Sequence, residues 1–463
     1  MKKQFTFLMG IAVVCALLMA VPEAAEGQKP FDYAGVSDSP VRTDSLSVIR
    51  RVNADMAVFS YVMNGKTYIG LVDLYGNIKR ADIGPDKRVY DMRVVGEELY
   101  FCGSVSGVQA FVGHLKIHQL ATSPGPFPID FTYLKADKTD CLTRMVAYRW
   151  GTEVKVVAIG YNDCLWYNCS YVCPTNATCR KEFVFECVFT SGLPSTSSPI
   201  RLQVVNPGAY GDRMEVLDDI VETDNYVAVV GVYDNAWFVI RRCRKDDIML
   251  TMRNLFLYPF QGRELLMEHK ACRMRGDTIA VASQASDIDL NPENRTRFRV
   301  FDMATMNMLV DQEFEHGIKV KPDEMVYVPV DKTVVLLQEM PIPSLTNNNS
   351  VFVQLHPYQA TPYVAQGWYT TSGLRYGSLD VRDDENYIAT GGNYWITKHL
   401  PNCVSSTGCY TPCLIRISGR EPVTYTADTF SDPPTPCFDM VLSPVFGVET
   451  RTPNVLCAET DNK

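Results

Sequence analysis

Beyond its first 25 residues, the 463-residue chain has no apolar run approaching the roughly 18 residues a membrane span requires. It has no C-x-x-C pair, which argues against a paired-knuckle zinc site and against a dithiol redox couple. It has no basic surplus: 44 Lys and Arg face 53 Asp and Glu, a formal charge of -9. The attraction that draws proteins to nucleic acid or anionic membranes is therefore missing. No long amphipathic helical stripe occurs, and several motifs begin without completing. "GSVSG" from Gly103 puts Val105 where a nucleophile elbow needs serine. Asp287, Asp289 and Asn291 open like a calcium loop, but Pro292 replaces its glycine and Phe298 its bidentate glutamate, so only a looser calcium site remains there. His114 and His118 would suit a helical metal site, whereas on a strand the same spacing sets them roughly 13 Å apart. No cofactor is expected.

What the chain does have starts with Lys2 and Lys3, the apolar run Phe5 to Val21, and small residues at Ala24 and Ala25. That order is the one a secretory signal peptide shows, so residues 1–25 are read as a signal and 26–45 as an N-terminal extension. The remaining chain is expected outside the cytoplasm, in the periplasm, at the cell surface or in the medium, with no stable membrane span. Loss of Cys15 with the signal leaves fourteen of the fifteen cysteines, an even number in a compartment where disulfides persist. They cluster twice: Cys164, Cys169, Cys173 and Cys179, then Cys403, Cys409 and Cys413. Both clusters read as disulfide-stapled loop insertions, at 163–180 and 396–413, with the pairing open.

The rest is a succession of short runs divided by Asp, Asn, Gly and Pro: "ELYFCGSV" from Glu98, "VKVVAIGY" from Val154, "YVAVVGVY" from Tyr226, "TIAVAS" from Thr278, "TVVLLQ" from Thr333 and "YIATGG" from Tyr387. Their length and their Val, Ile and Tyr content predict β-strands, and the acidic residues just before them, Asp218-Asp219 and Asp383-Asp384 among them, read as turn formers. Counting a further run near 455, the runs begin 56, 72, 52, 55, 54 and 67 residues apart. The two long steps hold the cysteine clusters, and removing ~15 residues of loop from each makes all six alike. Four strands fit in a step; in the fourth repeat they are predicted at 213–221, 226–233, 236–242 and 248–257.

In this spacing and strand pattern the chain resembles exported β-propeller proteins, although the WD dipeptide and the glycine-rich kelch pattern are both missing. The resemblance implies an all-β fold over residues 46–463, most simply seven four-stranded blades with the N- and C-terminal segments sharing one blade. Two β-sandwich domains are the alternative, though they demand no equal steps.

A second repeat signal is a charged residue before methionine: Asp91-Met92, Arg144-Met145, Arg213-Met214, Arg273-Met274, Glu324-Met325 and Asp439-Met440. Each pair falls in or beside the first strand of a repeat, where alternation would send one side chain into a central channel and the methionine between blades. The channel set is then Asp91, Arg93, Arg144, Arg213, Arg273, Asp380 and Asp439. Mutual ion pairs are the simpler reading of this ring. The sharper one has Arg93, Arg144, Arg213 and Arg273 converging on an anionic ligand.

Connections between second and third strands should share one face, bringing the cysteine loops together with Trp166, Tyr167, Tyr394 and Trp395 as aromatic contacts. The functional expectation is a binding or scaffold module for a protein or glycan partner. The alternative is a carbohydrate-active or other hydrolase using carboxylates such as Asp91, Glu215, Asp380 and Asp439.

Overall fold

The computed structural model describes residues 33–35, 48–53, 55–63, 65–73, 78–106, 109–122, 127–134, 140–163, 180–195, 201–204, 215–233, 237–248, 253–259, 264–287, 295–315, 321–340, 349–358, 366–370, 376–381, 387–391, 395–399, 410–413, 416–417, 425–430, 440–441, 448–451 and 455–458. Among the described residues it is all-β apart from one short helix, Ile117–Thr122. That helix holds His118 while His114 stays on the strand Gln109–Lys116, so the spacing argument for two histidines on one strand does not apply.

Seven antiparallel sheets follow one another along the chain. In the fourth, Glu215–Glu222, Tyr226–Tyr233, Trp237–Arg244 and Arg253–Pro259 pair in sequence order, close to the strands predicted from sequence. The first, second, third, fifth and sixth sheets, built from residues 48–84, 87–133, 140–204, 264–315 and 321–370, repeat this up-and-down order. The seventh takes Tyr376–Val381, Tyr387–Gly391 and Trp395–His399 from one end of the chain and Tyr33–Gly35 from the other. The shared sheet therefore uses the 26–45 extension, while the segment near 46–84 supplies four strands of its own.

The first strands are Val48–Arg51, Lys87–Val95, Asp140–Trp150, Glu215–Glu222, Glu264–Arg273, Lys321–Val328 and Tyr376–Val381. Each touches the next in chain order, and the seventh touches the first. Apolar packing follows the same order. Six buried clusters each join two consecutive sheets; in one, Phe101, Phe111 and Phe131 of the second sheet lie with Val58 and Ile69 of the first. A sheet covered on both faces needs apolar residues at successive positions. That is why second strands such as Glu98–Val105, buried from Leu99 through Ser104, read as continuous runs. Met92, Met145 and Met325 are buried in these inter-sheet clusters.

The C-terminal segment adds a fifth strand to six sheets in reverse order. Tyr410–Cys413 pairs with the sixth sheet, Arg416–Ile417 with the fifth and Tyr425–Phe430 with the fourth. Met440–Val441 then pairs with the third, Val448–Arg451 with the second and Val455–Ala458 with the first. The run near 455, read from sequence as another second strand, is thus an outer strand. The segment 396–413 is likewise bracketed by strands, and residues 400–409 lie outside the described residues.

Six of the seven first strands carry a register shift at the same point, between Val89 and Asp91, Leu142 and Arg144, Leu217 and Asp219, Met267 and His269, Pro322 and Glu324, and Tyr376 and Ser378. Such a bulge puts two residues opposite one and re-aims the side chains beyond it. In four sheets the partner strand carries glycine opposite the residue before the bulge: Gly103 faces Val89, Gly160 faces Leu142, Gly231 faces Leu217 and Gly391 faces Tyr376. At Gly103, Gly160 and Gly231 a Cβ would overlap the carbonyl oxygens of Arg88, Cys141 and Val216. Backbone cannot yield as a side chain can, so Gly160→Ala is expected to cost about 1–3 kcal/mol, read as a lower denaturant midpoint at unchanged slope.

Candidate functional site

Every first strand, the six bulged ones and the unbulged Val48–Arg51, supplies at least one charged side chain where these strands meet. The first gives Arg50, the second Asp91 and Arg93, the third Arg144 and the fourth Asp218 and Asp219. The fifth gives Lys270, the sixth Glu324 and the seventh Asp380. Asp91 is the most heavily bonded. Its Oδ1 accepts from Arg50 Nη2 at 2.7 Å, Arg93 Nη1 at 2.7 Å and the Met92 amide at 2.8 Å. Its Oδ2 accepts from the Met145 amide of the third sheet at 3.0 Å. Burial alone would raise this carboxyl, but Arg93, Arg50 and Arg144 hold it below the ordinary carboxylate range.

Neighbouring first strands share no hydrogen-bond ladder, so an amide turned toward the next sheet needs a side-chain acceptor. The acidic residues supply it repeatedly. Asp219 Oδ2 accepts from the Ala271 amide at 2.9 Å and Asp218 Oδ2 from the His269 amide at 3.0 Å, both joining the fourth sheet to the fifth. Asp380 accepts from the Arg51 amide and Ser378 Oγ from the Ile49 amide at 3.3 Å, joining the seventh sheet to the first. Asp218 and Asp219 are therefore strand residues rather than turn formers. Adjacent strand residues normally face opposite ways, and the bulge at this pair lets both carboxylates serve the same neighbour.

Arg144 reaches farthest, placing Nη1 3.1 Å from Glu324 Oε2 on the sixth sheet, three steps round from its own. Burial opposes its charge, and Glu324, Asp219 and Asp91 outweigh that and raise its pKa. Burial lowers Lys270, Arg144 adds to the effect, and Asp219 and Glu324 oppose it. At the position after the fifth sheet's bulge, His269 is drawn away from this cluster, with Nδ1 2.6 Å from Ser283 Oγ. Burial and the nearby Arg299 push it down to about 3, so the ring is neutral.

Asp218 titrates within reach. Burial lifts it to about 6, against the His269 amide and Lys270, with Glu268 and Asp219 adding to the rise. Unfolded, it would ionise near the ordinary 3.8, so between about pH 4 and 6 the folded state holds the extra proton and stability falls as pH rises. Above pH 6 both states are ionised and its slope vanishes. In Asp218→Asn this component of the fall is expected to be missing, checked by urea midpoints at half-unit steps from pH 4 to 7.

Over the charged cluster, at the carboxyl ends of the first strands, opens a cavity of about 1070 Å³. Arg50, Glu324 and Asp380 contribute to its base, and Arg93, Glu222, Arg273, Arg275, Tyr327 and Lys332 to its wall. Strand alternation puts the strand ends at Asp163 and Arg180, at Asp287 and Arg295, and at Met340 and Asn349 on the opposite side. All five exposed large apolar side chains among the described residues, Leu193, Met308, Leu309, Val330 and Tyr358, lie on turns or strand ends of the cavity side.

Of the residues singled out in the sequence, Asp91, Arg93, Arg144 and Asp380 meet in the cluster. Arg273 ends its strand at the cavity wall, bonded to Asp224 with both groups about half exposed, so the arginines do not converge on one point. Trp395 starts a strand and pairs with Gly35 rather than standing in a loop. Glu215 lies on its strand opposite Tyr233, Asp287 opposite Glu264 and Cys413 opposite Gly367. Arg213, Asp439, Trp166, Tyr167, Tyr394, Asp289, Asn291 and Cys164, Cys169, Cys173, Cys179, Cys403 and Cys409 lie outside the described residues. Arg50, Asp219 and Lys270 also belong to the cluster but were missed in the sequence; a charged residue a few positions before a turn and an apolar run is the signal they share with Asp91.

Cys102, Cys141, Cys187, Cys243 and Cys272 are buried and unbridged. Burial raises the thiols of Cys102, Cys187 and Cys272 and pushes Cys243 up to about 12, which makes them inert packing groups. The expectation of disulfides therefore narrows to cysteines outside this set. Among the described residues no group of three His, Cys, Asp or Glu could hold a metal ion, and no helix is long and apolar enough to cross a membrane.

No model of a known protein family matches the chain, and no curated protein matches it in sequence.

Proposed function

We propose that the chain is a binding module acting outside the cytoplasm, a seven-bladed β-propeller whose ligand seat is the cavity at the end of its central channel. The propeller reading is supported by seven consecutive antiparallel sheets whose first strands contact one another in a closed cycle, an order that two sandwiches would not produce. The signal-like amino terminus supports export.

The observation that carries the binding reading is the contrast between the cavity and what lies under it. The charges below are bonded to one another and to backbone amides, a use that holds sheets together. Above them a recess of about 1070 Å³ opens on the face that bears the exposed apolar side chains. Hydrolysis by a carboxylate pair is the less supported reading, because Asp91 is held ionised by two guanidiniums and Asp380 is engaged by a backbone amide.

The test is hydrogen exchange on the full mature chain, with and without each member of a panel of soluble glycans and extracellular proteins. A bound partner should protect residues 220–224, 273–276 and 325–332. Protection confined to 164–179 would move the site to the cysteine loop, and turnover of any panel member would replace binding with catalysis.

A further inference from the structure

The wall of the cavity is not uniform, and its asymmetry points to a ligand class; this step rests on the binding reading above. On one side Arg93 is bonded to Asp91, and Arg273 to Asp224. The side formed by the fifth and sixth sheets differs. There Arg275, in the turn after the fifth sheet's first strand, stands with Tyr327, Lys332 and Tyr358 of the sixth sheet. Arg275 lies close enough to both phenols to act against the burial that raises them, and the phenols are close enough to act on each other. Among the described residues no carboxylate is within ion-pair distance of Arg275 or Lys332. Tyr358 is 54% exposed and Tyr327 nearly buried, so the pair offers one open aromatic face and one recessed hydroxyl.

We infer that this corner holds a carboxylate-bearing sugar, with its ring against Tyr358, its hydroxyls toward Tyr327 and its carboxylate on Arg275 with Lys332 beside it. A guanidinium is planar and matches a carboxylate in bidentate fashion, and tyrosine presents an apolar face with a polar tip. An acidic peptide would offer the same charge. However, extended peptides gain affinity by adding to a free sheet edge, and the outer edges of six sheets are already covered by the chain's own segment 410–458. A recess of this volume suits a compact ring ligand better than an extended chain.

Titration calorimetry on the full mature chain should use tri-galacturonate, neutral tri-galactose, galactose 6-phosphate and penta-glutamate. Tri-galacturonate is expected to bind about tenfold or more tighter than tri-galactose, and Arg275→Gln to lose that advantage, because a hydrogen bond to a charged group has that worth. Lys332→Gln should weaken binding less and reduce its salt dependence, and Tyr358→Ala should weaken both sugars alike. All three side chains are exposed, so unchanged melting temperatures certify the variants. The inference is overturned if Arg275→Gln binds tri-galacturonate as the parent does. It is also overturned if tri-galactose, the phosphate or penta-glutamate binds equally well, or if tri-galacturonate does not bind. Exchange protection of 273–276 and 325–332 by a partner without a carboxylate would overturn this inference and leave the binding reading standing, whereas no cavity protection by any partner overturns both.

Discussion

Asp91→Ala is expected to destabilise the protein by about 3–5 kcal/mol, the range measured when one member of a buried ion pair is removed. Its carboxylate is fully buried and receives Arg50, Arg93 and two backbone amides from two sheets. Alanine would leave Arg50 hydrogen-bonded to the hydroxyl of Ser378 and the carbonyls of Met92, Ile49 and Leu379, with Glu324 and Asp380 as its remaining carboxylate neighbours. The Met145 amide would lose its acceptor, so the second and third sheets part where their first strands meet. Asp91→Asn keeps one accepting oxygen and should fall between parent and alanine. Urea unfolding followed by fluorescence ranks the three; equal midpoints for parent and alanine would show that the charge network adds nothing to stability. The effect is predicted from geometry and needs no ligand.

The second large effect follows from the outer strands. Deleting residues 401–463 should make the chain self-associate, because it uncovers the edges of six sheets at once. A bare edge is a row of unpaired amides and carbonyls ready to accept another chain. The edges Ile78–Gly84 and Arg253–Pro259 pair with the C-terminal segment over four and six residues, enough to template a foreign strand. Light scattering after size exclusion should show oligomers for the truncated chain and a single species for the parent. Adding residues 401–463 as a separate peptide should partly restore the monomer, since the contacts it makes are strand pairings rather than a covalent requirement. A truncated chain that remains monomeric would mean that the six edges are guarded by something other than this segment.

Much of this architecture was legible in the sequence because second strands are covered on both faces. The runs from Glu98, Val154, Tyr226, Thr278, Thr333 and Tyr387 all fall within second strands, and no period other than chain spacing was needed to find them. The outer strands escaped detection for the opposite reason. Pieces of two to six residues such as Arg416–Ile417 and Met440–Val441 are too short to carry an alternation, so the only one noticed, near 455, was assigned to the wrong role. Asp91, Arg93 and Arg144 were found because methionine marked the alternation beside two of them. Asp218 and Asp219 were passed over as turn formers, whereas they lie on a strand whose bulge lets both serve one neighbour. The glycines opposite four bulges were visible in the sequence, but their meaning depends on knowing which strand lies across from them.

The reversed order of the outer strands also sets a schedule for synthesis. The first sheet has its own four strands once Gly84 is made, yet its covering strand, Val455–Ala458, comes about 370 residues later. At ribosomal speeds of about 5–20 residues per second, that edge waits roughly 20 to 75 seconds for its cover. The sixth sheet waits least, because Tyr410–Cys413 follows it closely. A nascent chain of this design is most exposed to mispairing at its oldest part, so a holding chaperone would be needed longest where synthesis began.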